Sequence, residues 1–273
     1  MSLEAKSSMN NIVLPVHQPE VADLIVAYIE QLGMEYVFGV PDGAIEPLYN
    51  ALALSARRGG PRHVLARHEA GAAFMADGYA RETGKIGVCC ATSGPGATNP
   101  LTGVACAYDN GVPRLAITGQ PALPSFGKRA LQESACTGVN TLGMFRHCAR
   151  YDTLVSHADQ MESKLVNALM RASKAPRGPS HLSIPVDILC TPIKSRLPSY
   201  NLSSLLHRPA LVDDALVRFL CEEIKQAPRI VILIGGRHSC GESIEAIIKL
   251  AEMTESCFVT SPDGKGLINT QLR

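Results

Sequence analysis

Residues 67–99 read RHEAGAAFMADGYARETGKIGVCCATSGPGATN. A carboxylate, Glu69, opens a helix of small side chains. A compact apolar segment, IGVCCAT, reads as a buried strand, and a Gly-Pro-Gly turn then starts another helix. Upstream, HVLA supplies a strand that hands over to the helix at Glu69. Strands and helices alternating in this way predict an α/β fold with a parallel sheet. Two plain readings accompany the stretch. An acid in a helix's first turn is favoured by the macrodipole, by about 0.3–1 kcal/mol. GPGATN suggests a nucleotide loop, yet it lacks the spaced G-x-G-x-x-G, and no acidic residue closes a following strand.

The same alternation extends outward. Val21, Leu24, Ile25, Tyr28, Ile29 and Leu32 recur at helical spacing, and Gly33 stops that helix. A strand, Tyr36–Phe38, ends in the turn sequence GVPDG. RLAIT reads as a buried strand, and ATNPLTGVACAY before it reads as helical despite its Pro and Gly. Met161, Leu165, Ala168 and Leu169 mark a further helix, and SHLSIPVDI a late strand. Residues 191–210 are rich in Pro and Ser without a clear period and read as a surface linker. Beyond them Asp213 is a candidate N-cap for a helix with Leu216, Phe219, Leu220 and Ile224 on one face. IVILIGG, a helix through Ile244, Ile247, Ile248 and Ala251, and CFVTS then begin a βαβ unit. At about 65 residues it is short for a doubly wound domain, which reads as an incomplete one.

Composition excludes several classes. The chain has 273 residues, 46% hydrophobic and 19% charged, with a formal net charge of +1. Neither sign dominates, so there is no electrostatic case for nucleic acid or an anionic membrane surface. No apolar run approaches the roughly 20 residues that cross a bilayer, and no export signal is recognisable. The opening MSLEAKSSMNN is polar and reads as a tag remnant or a loose terminus. Nine cysteines lack any metal-ligand or disulfide spacing, which predicts reduced thiols in a cytoplasmic protein and no metal site.

Taken together, RHEAGAAFMADGYAR, TSGPGATN, GVPRLAITGQ and LQES closely resemble, in order and spacing, the N-terminal pyrimidine-binding domain of thiamine-diphosphate enzymes, nearest to the acetolactate synthases. FGVPDGAIEPLYNAL resembles the family's FG-x-PG segment, and the resemblance runs from about Val21 to Ile188. It implies a pyrimidine-binding domain over residues 12–190, a linker over 191–210, and an incomplete central α/β domain over 211–273.

The resemblance also implies chemistry. Glu69 matches the glutamate that hydrogen-bonds the cofactor's pyrimidine nitrogen and promotes loss of the thiazolium C2 proton. A 2-oxo acid such as pyruvate is then decarboxylated and joined to a second carbonyl, as in branched-chain amino acid biosynthesis. Pro41, Pro95, Gly96 and Asn99 match positions around the pyrimidine, though Asp42 replaces the family's usual glycine. Gln132 matches a glutamine near the reacting centre, with Leu131 in place of the family's Phe. Thiamine diphosphate and Mg²⁺ are the implied cofactors. IGGRHSCGES could meet FAD or be a plain βα turn, and both readings stay open. No segment resembles the family's Mg²⁺-binding domain, so the resemblance implies a homo-oligomer, dimer or tetramer, with the active site between subunits and this chain inactive alone. The competing readings are a 2-oxo acid decarboxylase or oxidase, and a dimerising fragment without catalysis.

Overall fold

The computed structural model describes residues 18–134, 138–195, 197–206, 212–236 and 241–268. The polar N-terminal stretch, residues 196 and 207–210 of the expected linker, residue 211, and Arg237–Cys240 within IGGRHSCGES lie outside them. The first half follows strict alternation: α1 (Val21–Gln31), β1 (Tyr36–Gly39), α2 (Glu46–Ala56), β2 (Arg62–Leu65), α3 (Glu69–Thr83) and β3 (Gly87–Ala91). Then come α4 (Pro95–Thr98), α5 (Leu101–Asn110), β4 (Arg114–Gln120), α6 (Thr141–Arg146), β5 (Tyr151–Leu154), α7 (Met161–Ser173), β6 (Pro179–Pro185) and α8 (Val186–Leu189). The six strands form one parallel sheet in the order β2-β1-β3-β4-β6-β5.

Side chains on the central strands alternate between two apolar layers. Val37, Val88, Cys90, Leu115, Ile117, Leu182 and Ile184 pack against α1, α2 and α7. Phe38, Cys89 and Ala116 face the other way, against α3, α5 and α6. Strands buried on both faces lose the polar alternation of a half-exposed strand, which is why IGVCCAT reads as a continuous apolar run. In the second layer α3 contributes Ala72, Ala73 and Ala76; these small residues let the helix lie close to the sheet.

The structure departs from the sequence reading in three places. ATNPLTGVACAY is two helices rather than one, because Pro100 has no N–H to continue the ladder and α5 starts after it. SHLSIPVDI turns helical at Val186; Pro185 cannot extend the ladder, and the Asp187 carboxylate accepts from the Leu123 N–H at 3.1 Å. The Pro/Ser-rich segment is tied down. Glu162 accepts from Tyr28 Oη at 2.6 Å and from the Ser199 N–H at 2.7 Å, while Gln31 Oε1 accepts from the Leu202 N–H at 2.8 Å. These bonds hold a short helix, α9 (Leu202–Leu206), on α1 and α7, with Leu202 buried.

Past residue 211, α10 (Asp214–Gln226) is capped by Asp213, which accepts from the Ala215 N–H at 2.9 Å and the Leu216 N–H at 3.2 Å. β7 (Val231–Ile234) and β8 (Cys257–Thr260) pair in parallel, with α11 (Gly241–Thr254) between them in sequence. Leu216, Phe219 and Leu220 on α10 are exposed.

Candidate active site

The strand order reverses between β1 and β3. From β1 the chain crosses to β2 on one side, and from β3 it crosses to β4 on the other. In open parallel sheets the crevice at the carboxyl ends of two such strands is where ligands bind. Pro41 lies just beyond β1, and Gly94-Pro95-Gly96 just beyond β3. Glu69 lies just beyond neighbouring β2, and Gln120 ends β4. Residues dispersed over eighty positions of sequence thus meet along one edge.

Glu69 is the first residue of α3. His68 caps that helix, its Nδ1 accepting from the Ala70 N–H at 3.1 Å. The plain helix-start role is therefore shared with His68, and the Glu69 side chain turns inward and is buried. Its Oε2 accepts from Asn99 Nδ2 at 2.8 Å. Oε1 has no hydrogen-bond partner among the described residues and faces Gly96, where an added Cβ would stand 3.4 Å away. The same Cβ would press on the Thr92 methyl. Only glycine leaves that wall of the crevice open. Thr92 Oγ1 is buried without a partner among the described residues.

Gly94 takes φ +59°, and a Cβ on it would stand 2.7 Å from Cβ of Gln132. Gln132 itself has φ +59° and is exposed. Glu69, Gly96 and Asn99 are thus brought together directly. Gln132 meets the opposite end of the same turn, and Pro41 stands exposed on the neighbouring loop, where Asp42 caps the turn Gly43–Ile45. Asp42 accepts from the Gly43 N–H at 2.7 Å, an ordinary helix-start role for the residue that departs from the family's glycine.

Sequence reasoning gave no role to Tyr49, whose hydroxyl lies 3.3 Å from Cys90 Sγ. Burial pushes the Tyr49 hydroxyl far above its ordinary pKa, and the Cys90 and Cys89 thiols and the Glu69 carboxylate push the same way. Burial raises the Cys90 thiol to about 12 against the opposing effect of its Tyr49 bond. Both groups therefore stay neutral at physiological pH, and the paired cysteines are core residues rather than nucleophiles. The fragment LYNAL carried Tyr49 in view, but nothing in its spacing predicts that α2 turns it toward β3. Among the described residues, no three His, Cys, Asp or Glu side chains are grouped to hold a metal ion, and no helix is long and apolar enough to cross a membrane.

An α/β domain with a buried carboxylate at its switch point can be set beside known proteins. Residues 19–140 match the family described as thiamine pyrophosphate enzyme, N-terminal TPP binding domain. The chain is also similar to acetolactate synthases. It is 36% identical over 251 residues to one from Mycobacterium bovis, covering 90% of this chain and 38% of that protein. It is 34% identical over 257 residues to a probable large subunit from Methanococcus aeolicus, covering 91% and 40%. To the large subunit from Lactococcus lactis it is 33% identical over 248 residues, covering 90% and 42%. The chain spans about two fifths of the length of the curated relatives it matches, and corresponds to their N-terminal portion.

Proposed function

We propose that this chain supplies the cofactor-activating half of a thiamine-diphosphate carboligase that condenses 2-oxo acids, with pyruvate to acetolactate as the reaction its relatives' names suggest. The observation that carries the reading is the buried Glu69 carboxylate, with Oε2 held by Asn99 and Oε1 free beside the open wall at Gly96. That donor set fits an aminopyrimidine ring. A carboxyl in a dry crevice can share a proton with a ring nitrogen, and the missing Cβ leaves room for a flat heterocycle.

Thiamine diphosphate, when bound, supplies the thiazolium carbon at which a 2-oxo acid is decarboxylated and transferred. The chain's own residues hold the ring and manage the proton. Glu69 holds or moves a proton at Oε1, and Asn99 fixes the rotamer of the carboxylate by donating to Oε2. The turn Gly94–Gly96 with Pro95 admits the ring closely, and Pro41 borders the crevice from the β1 loop. Gln132, exposed above the turn, is the residue offered to substrate. The domain reading goes with this: a pyrimidine-binding domain over 12–190, a linker over 191–210, and the start of a central domain over 211–273. Mg²⁺ and the diphosphate site belong, on this reading, to residues outside this chain, and the active centre is completed by a second subunit in a cytoplasmic homo-oligomer.

Glu69→Gln tests the proposal in the active enzyme that carries these residues. The change keeps size and hydrogen bonding but removes the ionisable proton. Exchange of the cofactor's C2 proton, followed by NMR in heavy water, should slow on the order of 100-fold. A helix-start carboxylate alone would cost about 0.3–1 kcal/mol of stability and leave exchange unchanged, which would remove Glu69 from the mechanism.

A further inference from the structure

A buried polar junction lies under the Gly94 turn, outside the set of residues that would touch the ring. Gln120 is fully buried at the end of β4. Its Nε2 donates to the Ser134 carbonyl at 3.2 Å and to Ser183 Oγ on β6 at 3.0 Å. Its Oε1 accepts from the Ser134 N–H at 3.3 Å and from Ser134 Oγ at 3.1 Å. Ser134 Oγ in turn accepts from the Gly94 N–H at 3.2 Å, and the Ser134 carbonyl also accepts from Thr141 Oγ1 at 2.8 Å. Ser134, Thr141 and Ser183 are fully buried as well.

A side-chain amide offers two donors and two acceptor sites, and Gln120 uses all four. Its orientation is dictated by its partners: the Ser134 carbonyl can only accept, and the Ser134 N–H can only donate. No other side chain of this length meets both demands. Glutamate cannot donate, and methionine can do neither. The segment it grips needs a grip. Arg129 and Gln132 both take φ +59°, a conformation costly for residues with a Cβ that persists only where surroundings impose it. Ser134 is two residues from Gln132 and is also bonded to Gly94, on which Gln132 rests.

We propose that Gln120 is a positioning residue: through Ser134 it clamps the loop carrying Gln132 onto Gly94, so that Gln132 is held at the end of the turn away from Glu69. The inference rests on the reading of Glu69 and Gln132 as groups of the active centre. A side chain serving only general stability would couple to the whole domain. A positioning residue couples to this loop, and to the steps that use Gln132 but not to those that use Glu69.

The first test uses this chain and needs no cofactor. In Gln120→Met and Ser134→Ala, hydrogen exchange should rise roughly tenfold in peptides covering 123–134, the scale of a lost buried bond. Peptides from α1 and β1 should not change. Uniform acceleration, or none, overturns the clamp. The second test uses the active enzyme. Turnover should fall at least tenfold while C2-proton exchange stays within twofold of the unmodified enzyme, and Ser134→Thr, which keeps the hydroxyl, should recover turnover more than Ser134→Ala. Equal loss in both measurements, or in neither, overturns the inference. Failure of the functional reading is recognised separately, by Glu69→Gln leaving C2 exchange intact.

Discussion

Asn99 Nδ2 donates to Glu69 Oε2 at 2.8 Å, joining the C-cap residue of α4 to the residue that begins α3. Thirty positions of sequence separate the pair. β3 and the Gly94 turn lie between them and place both at one edge of the sheet. The bond engages Oε2, and the oxygen without a hydrogen-bond partner among the described residues, Oε1, is the one facing Gly96.

Asn99→Asp replaces a donor to the carboxylate by a second carboxylate at the same distance. Two carboxylates sharing a site cannot both ionise freely, so one must hold its proton to higher pH. The acid limb of the pH profile for C2-proton exchange should therefore move up by at least about one unit. Asn99→Ser, which can still donate, should move it far less. A profile unchanged in Asn99→Asp would mean that the pair does not control the proton on Glu69.

Gly96→Ala separates packing from chemistry. The new methyl would collide with the Thr92 methyl and sit 3.4 Å from Glu69 Oε1. Overpacking of this kind costs typically 1–3 kcal/mol, visible as a lower thermal midpoint. Adding Thr92→Ser removes the colliding methyl and should restore most of the stability. The methyl introduced at position 96 still covers Oε1, so activity should stay low in the double variant. Recovery of both together would show that Gly96 is needed for packing alone.

Much of this site is legible as sequence, for identifiable reasons. Glu69 and the Gly94–Gly96 turn are neighbours along the chain of elements, so a strand-turn-helix pattern places them at once. The parallel sheet follows from apolar runs such as IGVCCAT, whose two buried faces erase alternation. β5 is not legible, because Tyr151–Leu154 is an edge strand of four half-buried residues with little apolar signal. The tethering of the Pro/Ser-rich segment depends on Gln31, Tyr28 and Glu162, which come from two distant helices. Gln120 stands in view within RLAITGQ, but only the fold reveals that Ser134 and Ser183 surround it. Asp213 is readable as a cap because capping is local.

Gly71, Phe74, Met75 and Gly78 lie at helical spacing on one exposed side of α3, with Phe74 45% and Met75 37% accessible. A stripe of small and apolar residues beside the candidate site suits close packing against another subunit. Phe74→Asp should weaken self-association measured by sedimentation at least tenfold, since a carboxylate cannot be buried there without a partner. Its thermal midpoint under monomeric conditions should stay within a few degrees. Unaltered sedimentation would exclude this face of α3 as a subunit contact.

His181 carries the last prediction. It is fully buried on β6 and stacked on Phe145 with ring centroids 3.7 Å apart. Nδ1 lies 2.6 Å from Asp152 Oδ1, and Nε2 lies 2.9 Å from Thr118 Oγ1. A neutral ring satisfies both, donating to the carboxylate and accepting from the hydroxyl. Burial holds its pKa below the ordinary 6.5, and the Asp152 carboxylate opposes this without overcoming it. The unfolded chain therefore binds a proton more readily than the folded one. The stability this contributes is present above pH 6.5 and is lost as pH falls from there toward the folded value. One differential proton gives a slope of up to about 1.4 kcal/mol per pH unit. His63, half-buried and also lowered by burial, adds a smaller slope of the same sign, so it should be replaced in the background. Urea denaturation between pH 8 and pH 5 should then show a steep loss in the His181 protein and a flatter one in His181→Gln. Equal slopes would clear His181, and a gain in stability on acidification would mean that Asp152, not burial, governs the ring.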